Sequence, residues 1–315
     1  MKIISAAEID AALDPVTLAD ALADAFRAEI VAPVRHHHDI DRPDANATLL
    51  LMPAWTGADA SSPFVGTKIV TVYPGNGAKD LPAVMGTYLL LDGATGAPLA
   101  AMDGARLTVW RTAAASALAA RYCARPDASK MVMVGAGALA PFLIKAHCAT
   151  SPIKEVALWN HRPARAEAVA AELRKEGYPV RAVENLEAAI READIISSAT
   201  LSSEPLIHGA WLKPGAHLDC VGAFKPSMRE TDDEAIKSAS LFCDTRGGAL
   251  KEGGDYAQPL ASGLIRESDV KADLYDLTRG KHRGRASPTE ITMFKSVGAA
   301  IEDLAAAMLV WKRLG

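Results

Sequence analysis

The sequence predicts an α/β protein in which a parallel, doubly wound sheet is joined to a β-rich α+β unit. Three observations predict it. From about residue 130, short apolar strands alternate with helical stretches, as in a parallel sheet covered on both faces. The first of those strands runs directly into a glycine-rich turn and a helix. By contrast, the first 105 residues carry longer strands separated by turn punctuation, without that alternation.

The bulk properties fit such a fold. At 315 residues the chain is long enough for two cores. Half the residues are hydrophobic and 23% are charged, as in an ordinary globular protein. A net charge of -4 gives no reason to expect nucleic acid or a membrane surface as partner. No apolar leader with a cleavage site follows Met1, and no run of about 18 uncharged apolar residues appears, so a cytoplasmic protein is expected. Cys123, Cys148, Cys220 and Cys243 are widely spaced and read as reduced, mostly buried thiols.

The elements follow in order. Residues 6–30 have an amphipathic helical repeat, Ile9, Leu13, Leu18, Leu22 and Phe26, with Asp14-Pro15 as a helix-start signal. Residues 47–53 and 64–73 read as strands, the second ending at Pro74-Gly75-Asn76. Residues 84–91 and 97–102 form a hairpin around Asp92-Gly93-Ala94-Thr95-Gly96. An Ala-rich helix is expected from Leu107 to Tyr122. Strands are then expected at 130–134, 154–159, 179–183, 194–199, 216–221 and 240–243. Glu290–Phe294 reads as a last strand and Gly298–Leu314 as a closing helix.

Lys130-Met-Val-Met-Val134 leads into Gly135-Ala136-Gly137-Ala138-Leu139-Ala140. Gly135 permits the tight turn, Gly137 lets a pyrophosphate approach the backbone, and Ala140 lets helix and strand pack closely. The helix N-terminus then offers free N–H groups to an anion. In this strand–turn–helix context the motif indicates a Rossmann-type dinucleotide site, although a ligand-free turn would carry the same glycines. The next strand ends at Trp159, and its tip reads Asn160-His161-Arg162-Pro163-Ala164-Arg165. A site for NAD usually has Asp or Glu there. Guanidinium groups instead attract a 2′-phosphate, so NADPH is expected, with NADH weaker. An Asn helix cap with solvated arginines is the alternative.

Three residues suggest the substrate side. Arg111-Thr112 falls in the first turn of the expected 107–122 helix, where a cation opposes the helix dipole unless an anion binds. Lys68 shares a strand face with Val70 and Val72, where a lysine is costly unless paired or used; a solvent-facing lysine is the alternative. Arg35-His36-His37-His38 invites a metal reading, but adjacent strand residues face opposite ways, and no metal is expected. The basic run 279–285 reads as a solvated loop.

Together these segments resemble the ornithine cyclodeaminase/mu-crystallin family over nearly the whole chain. The segments are Leu51-Met52-Pro53, Thr67-Lys68-Ile69-Val70, Met102-Asp103-Gly104, Arg111-Thr112-Ala113-Ala114, the Gly135 loop, Trp159-Asn160, Lys213-Pro214-Gly215-Ala216-His217, Val221-Gly222-Ala223 and Phe294-Lys295-Ser296-Val297-Gly298. The resemblance implies a substrate-binding and dimerisation domain of residues 1–118 with 290–315, an NADP(H)-binding domain of residues 119–289, and a homodimer.

It also implies roles. Arg35, Lys68 and Arg111 would hold a substrate carboxylate. Arg111, Thr112, Gly135, Gly137, Ala138, Leu139, Asn160, His161, Arg162, Arg165, Thr200, Leu201, Val221 and Ser296 would line the cofactor. Glu252 would be an active-site carboxylate. Cyclodeaminases and related alanine dehydrogenases carry an Asp just after the Val-Gly-x segment, where this chain has Phe224. Phe224 cannot accept a proton, but it offers a flat wall to a ring. The resemblance therefore implies reduction of a preformed cyclic ketimine carboxylate: Δ1-pyrroline-2-carboxylate to L-proline, or Δ1-piperideine-2-carboxylate to L-pipecolate. Lys68 or a water would protonate the nitrogen. Ornithine cyclodeaminase, an alanine-type dehydrogenase and a non-catalytic NADPH-binding protein are the rival readings.

Overall fold

The computed structural model describes residues 1–42, 46–79 and 81–315. The chain divides into two compact units, Met1–Arg111 with Ala299–Gly315, and Thr112–Gly298.

The first unit is built on a seven-stranded sheet. Strand β1 (Lys2–Ile4) is followed by α1 (Ala6–Ala12) and α2 (Pro15–Arg27). The single helix expected over 6–30 is thus two. The break falls at Leu13-Asp14, because Asp14 accepts the Thr17 N–H as an N-cap and Pro15 opens the new helix. Next come β2 (Ile30–Val31), β3 (His36–Ile40), β4 (Ala47–Thr56), β5 (Phe64–Val72), β6 (Val84–Asp92) and β7 (Pro98–Asp103). The sheet order is β1-β7-β6-β5-β4-β2, with β3 also on β4; β1 runs parallel to β7 and the other pairs are antiparallel. One face buries Met52, Ala54, Val70, Tyr88, Leu90, Ala100 and Met102, with the C-terminal helix Ala300–Leu314 packed on β4, β5 and β6 and α2 packed on that helix. On the opposite face Leu49, Leu51, Ile69, Leu89 and Leu91 are only partly covered and Trp55 and Val65 are exposed.

Helix α3 (Gly104–Cys123) starts a turn earlier than expected. Asp103 receives the Arg106 N–H and so fixes that start. Arg111 is therefore the eighth helical residue, and the first-turn argument for it does not hold.

The second unit is an eight-stranded, wholly parallel sheet. Its strands are β8 (Lys130–Val134), β9 (Glu155–Trp159), β10 (Val180–Val183), β11 (Ile195–Ser198), β12 (His217–Cys220), β13 (Ala239–Cys243), β14 (Val270–Asp273) and β15 (Ile291–Lys295). The order is β10-β9-β8-β11-β12-β15-β13-β14. Helices α4 (Ala140–Thr150), α5 (Pro163–Lys175), α6 (Leu186–Glu192), α7 (Asp233–Ser238), α8 (Arg246–Glu252), α9 (Gly254–Ala261) and α10 (Leu274–Thr278) join them. Apolar cores form on both sheet faces. Chain order reverses between β8 and β11, which is where ligands of such sheets bind, outside the carboxyl ends. Edge strand β14 was not expected, because the charged Lys271 and Asp273 alternate with the apolar Val270 and Ala272 over only four residues.

The 279–285 run is not simply a solvated loop. Arg285 reaches inward, donating to Cys123 O at 2.8 Å, Ala216 O at 3.0 Å and Thr292 Oγ1 at 3.1 Å. Its planar set of donors ties α3 to β12 and β15.

Candidate active site

In the first unit, β5 and the C-terminal helix bring two cations onto two carboxylates. Lys68 is 2% exposed, so the solvent-facing alternative is overturned. Its Nζ stands 2.8 Å from both carboxylate oxygens of Asp303 and 3.3 Å from Thr108 Oγ1. Arg111 Nε donates to Asp303 Oδ1 at 2.9 Å, and its Nη1 to Glu302 Oε2 at 2.8 Å. All four side chains are buried. Burial pushes the Lys68 ammonium down to about 8; Asp303 opposes that shift, while Arg111 and Arg35 add to it. Arg35 is half-buried and contributes to the field at Lys68. Directly across the sheet from Lys68 is Tyr88, whose phenol burial drives well above its ordinary pKa.

The structure thus brings Arg35, Lys68 and Arg111 into one electrostatic cluster. It adds Asp303 and Glu302, which the sequence reading missed. Their signal was present: two adjacent acids in the first turn of a closing helix whose neighbours Ile301, Leu304 and Ala305 are all apolar. Buried charges on an apolar face need partners.

In the second unit, the loop after β8 carries the dinucleotide motif. Gly135 has φ +103°, a conformation that an L side chain rarely adopts, and a Cβ there would stand 2.8 Å from Ala199 O. A Cβ on Gly137 would meet open space. Gly137 and Ala138 are exposed and Leu139 half-buried. Leu139, the N-cap of α4, gives no side-chain hydrogen bond, so an anion could take the first-turn N–H groups. Asn160 does not cap a helix as the alternative required; Arg162 is the N-cap of α5. Asn160 turns inward instead. Its Oδ1 accepts from Ala136 N at 3.4 Å and its Nδ2 donates to Arg162 O at 3.2 Å, while Arg165 Nε donates to Ala136 O at 2.9 Å. The β9 tip is thereby tied to the glycine loop, with His161 and Arg162 exposed beside it. These features fit a dinucleotide: an unobstructed glycine, uncapped helix donors and a cationic tip.

Of the remaining predicted residues, Thr200, Leu201, Val221, Phe224 and Ser296 follow the carboxyl ends of β11, β12 and β15. Ser296 N donates to Cys220 O, which sets Ser296 beside buried Val221, and Thr200 follows β11. Thr112 is buried on α3. Leu201 is 73% exposed and Phe224 is 39% exposed, so neither is held in the core. Glu252 is half-buried at the end of α8, and Gly254 N nearby donates to Ala223 O. Among the described residues no cluster of three or more His, Cys, Asp or Glu side chains could hold a metal ion. His36 and His38 share one face of β3 and His37 the other, as their cross-strand partners show. All four cysteines are free thiols. No helix among the described residues is long and apolar enough to cross a membrane.

Comparison with known proteins adds a context. The ornithine cyclodeaminase/mu-crystallin family profile matches residues 1–315. A protein of Schizosaccharomyces pombe whose name gives no activity is 43% identical over 99% of this chain and 97% of its own. The Δ1-pyrroline-2-carboxylate reductase of Paracoccus denitrificans is 43% identical over 78% of each chain. Among solved structures, the Thermococcus litoralis Δ1-pyrroline-2-carboxylate reductase in complex with NADH and L-proline superposes with a TM-score of 0.92. It is 33% identical and the match covers 99% of this chain and 97% of that one.

Proposed function

Because this chain belongs to the ornithine cyclodeaminase/mu-crystallin family, we propose that it is a nicotinamide-dependent reductase of cyclic ketimine carboxylates, acting on Δ1-pyrroline-2-carboxylate to give L-proline. The six-membered Δ1-piperideine-2-carboxylate, giving L-pipecolate, is the variant substrate. The observation that carries the reading is the buried Lys68–Asp303–Arg111 cluster. Reducing C=N requires a hydride at carbon and a proton at nitrogen.

When bound, the reduced nicotinamide supplies the hydride. Lys68 supplies the proton, and an ammonium held near pKa 8 by burial is a stronger acid than an ordinary lysine. Arg111 and Arg35 attract the substrate carboxylate, and Asp303 and Glu302 hold Lys68 and Arg111 in one orientation. Gly135, Gly137, Ala138 and Leu139 would cradle the pyrophosphate. Thr112, Thr200, Leu201, Val221 and Ser296 would surround the rest of the dinucleotide, and Phe224 and Glu252 would border the ring substrate.

Asn160, His161, Arg162 and Arg165 favour NADP(H), since no carboxylate stands at the β9 tip to repel a 2′-phosphate. The Thermococcus enzyme was captured with NADH, so both cofactors belong in the assay. Phe224, in place of a proton-accepting Asp, disfavours the oxidative deamination steps of a cyclodeaminase or an alanine-type dehydrogenase. A homodimer is supported by the open sheet face of Leu49, Leu51, Trp55, Val65, Ile69, Leu89 and Leu91, a contiguous apolar surface of the kind that marks an interface. Lys68→Ala tests the chemistry: the account expects kcat for imine reduction to fall at least a hundredfold, and unchanged turnover at saturating substrate would remove lysine from the mechanism.

A further inference from the structure

Outside the residues already assigned, the second unit holds a wholly buried carboxylic acid in contact with two of the loops that would receive the cofactor. Glu230 Oε1 accepts three hydrogen bonds: from Ser198 Oγ at 2.6 Å, Thr200 N at 2.7 Å and Thr200 Oγ1 at 2.8 Å. It also packs on the loop after β12. A Cβ added to Gly222 would collide with both Glu230 Oε1 and Thr200 O. The next residue, Ala223, has φ +49°, a left-handed backbone that only strong local constraint imposes on a non-glycine. The Glu230 backbone is fixed too: its N–H donates to Asp255 Oδ1 at 2.9 Å, and its carbonyl accepts from Leu206 and Ile207.

The charges around it are already matched. Lys295 Nζ binds Asp255 Oδ2 at 2.9 Å and also donates to Gly222 O. An ionised Glu230 would add a second buried anion beside one lysine. Burial raises its pKa, with Asp255 adding to the shift and Lys295 and the hydroxyl donors opposing it. Glu230 Oε2 has no hydrogen-bond partner among the described residues, so the hydrogen bonds of its carboxyl all run through Oε1.

We propose that Glu230 is a positioning residue whose Oε1, as a shared acceptor, clamps the Thr200 and Gly222 loops into the shape that receives the nicotinamide half of the cofactor. The inference rests on the dinucleotide reading given above. β11 and β12 are adjacent parallel strands, and the loops at their carboxyl ends define one end of the ligand crevice. The adenosine end is built separately, from Asn160, Arg162 and Arg165 on the other side of β8. Glu230 therefore acts on one half of the ligand.

The experiment titrates wild type, Glu230→Ala and Glu230→Gln with NADPH and with the 2′-phosphate of ADP-ribose, which lacks nicotinamide, following intrinsic fluorescence or heat. Expected is at least a tenfold weaker NADPH complex for Glu230→Ala with the fragment unchanged within twofold, and restoration of NADPH binding by Glu230→Gln. Equal weakening of both ligands, no weakening of either, or a Gln variant as impaired as the Ala variant would overturn the proposal. Wild type that binds neither ligand would instead overturn the dinucleotide reading. Should Glu230→Ala not fold, Ser198→Ala replaces it. Ser198 is fully buried and bonds Glu230 Oε1, so its loss must weaken NADPH and spare the fragment in the same pattern.

Discussion

Lys68 and Asp303, 235 residues apart in sequence, form a buried ion pair with Nζ 2.8 Å from both carboxylate oxygens. Asp303 works against the burial that lowers the lysine's pKa. If protonated Lys68 is the acid, kcat/KM should fall as pH rises through about 8. Asp303→Asn removes the opposing anion, so the alkaline limb must move to lower pH. A pH–rate profile checks the sign; a limb that stays in place would dissociate Asp303 from the proton donor.

Arg111 bonds both Asp303 and Glu302 inside the same unit. Removing its guanidinium strands buried carboxylate. Arg111→Met should cost roughly 3–5 kcal/mol of stability as well as activity. Denaturant unfolding measures the first and steady-state kinetics the second. A variant with wild-type stability would mean that the two acids find other partners.

Gly135 and Gly137 separate folding from binding. Gly135→Ala places a Cβ at φ +103° and 2.8 Å from Ala199 O, so its melting temperature should drop. Gly137→Ala meets nothing in the protein; its melting temperature should hold while the Kd for NADPH rises at least tenfold. Calorimetry with and without the nucleotide distinguishes the two.

The proposed cofactor choice is tested at the β9 tip. Asn160→Asp keeps an acceptor for Ala136 N–H and adds a charge that repels a 2′-phosphate. Combined with Arg162→Ala, it should shift the NADPH-to-NADH ratio of kcat/KM toward NADH by about tenfold or more. An unchanged ratio would place discrimination elsewhere.

Acid should weaken the second unit through His217. Burial holds this imidazole neutral, its pKa pushed down to about 3 from an ordinary 6.5. Below about 6.5 the unfolded chain takes up a proton that the folded chain refuses. Stability contributed by neutral His217 therefore falls with pH, by about 1.4 kcal/mol per unit. His217→Gln should flatten that slope in urea unfolding between pH 6 and 4; the wild-type slope in the variant would exonerate His217.

The sequence exposed what repeats or is punctuated. The β8–Gly135–α4 motif, the β4–β7 punctuation and the alternation beyond residue 130 each follow from local periodicity or from the backbone needs of glycine. Hidden were features set by distant residues. Lys68 looked equally fit for solvent because its partner lies 235 positions away. Glu302 and Asp303 gave little local sign of burial, because acids are common in the first turn of a helix. Glu230 stood in a polar stretch, and only the folded chain puts its carboxyl against Ser198 and Thr200. Arg111 drew notice through a helix boundary that was placed too late, yet its charge still required the anions it meets.

The central claim is tested most directly by mixing the protein with Δ1-pyrroline-2-carboxylate and following cofactor absorbance at 340 nm, with NADPH and NADH in parallel. The account predicts imine-dependent oxidation of the cofactor, faster with NADPH, that yields L-proline and is abolished in Lys68→Ala. Binding of NADPH without turnover of the five- or six-membered imine, or ammonia release from ornithine with oxidised cofactor and no added imine, would contradict it.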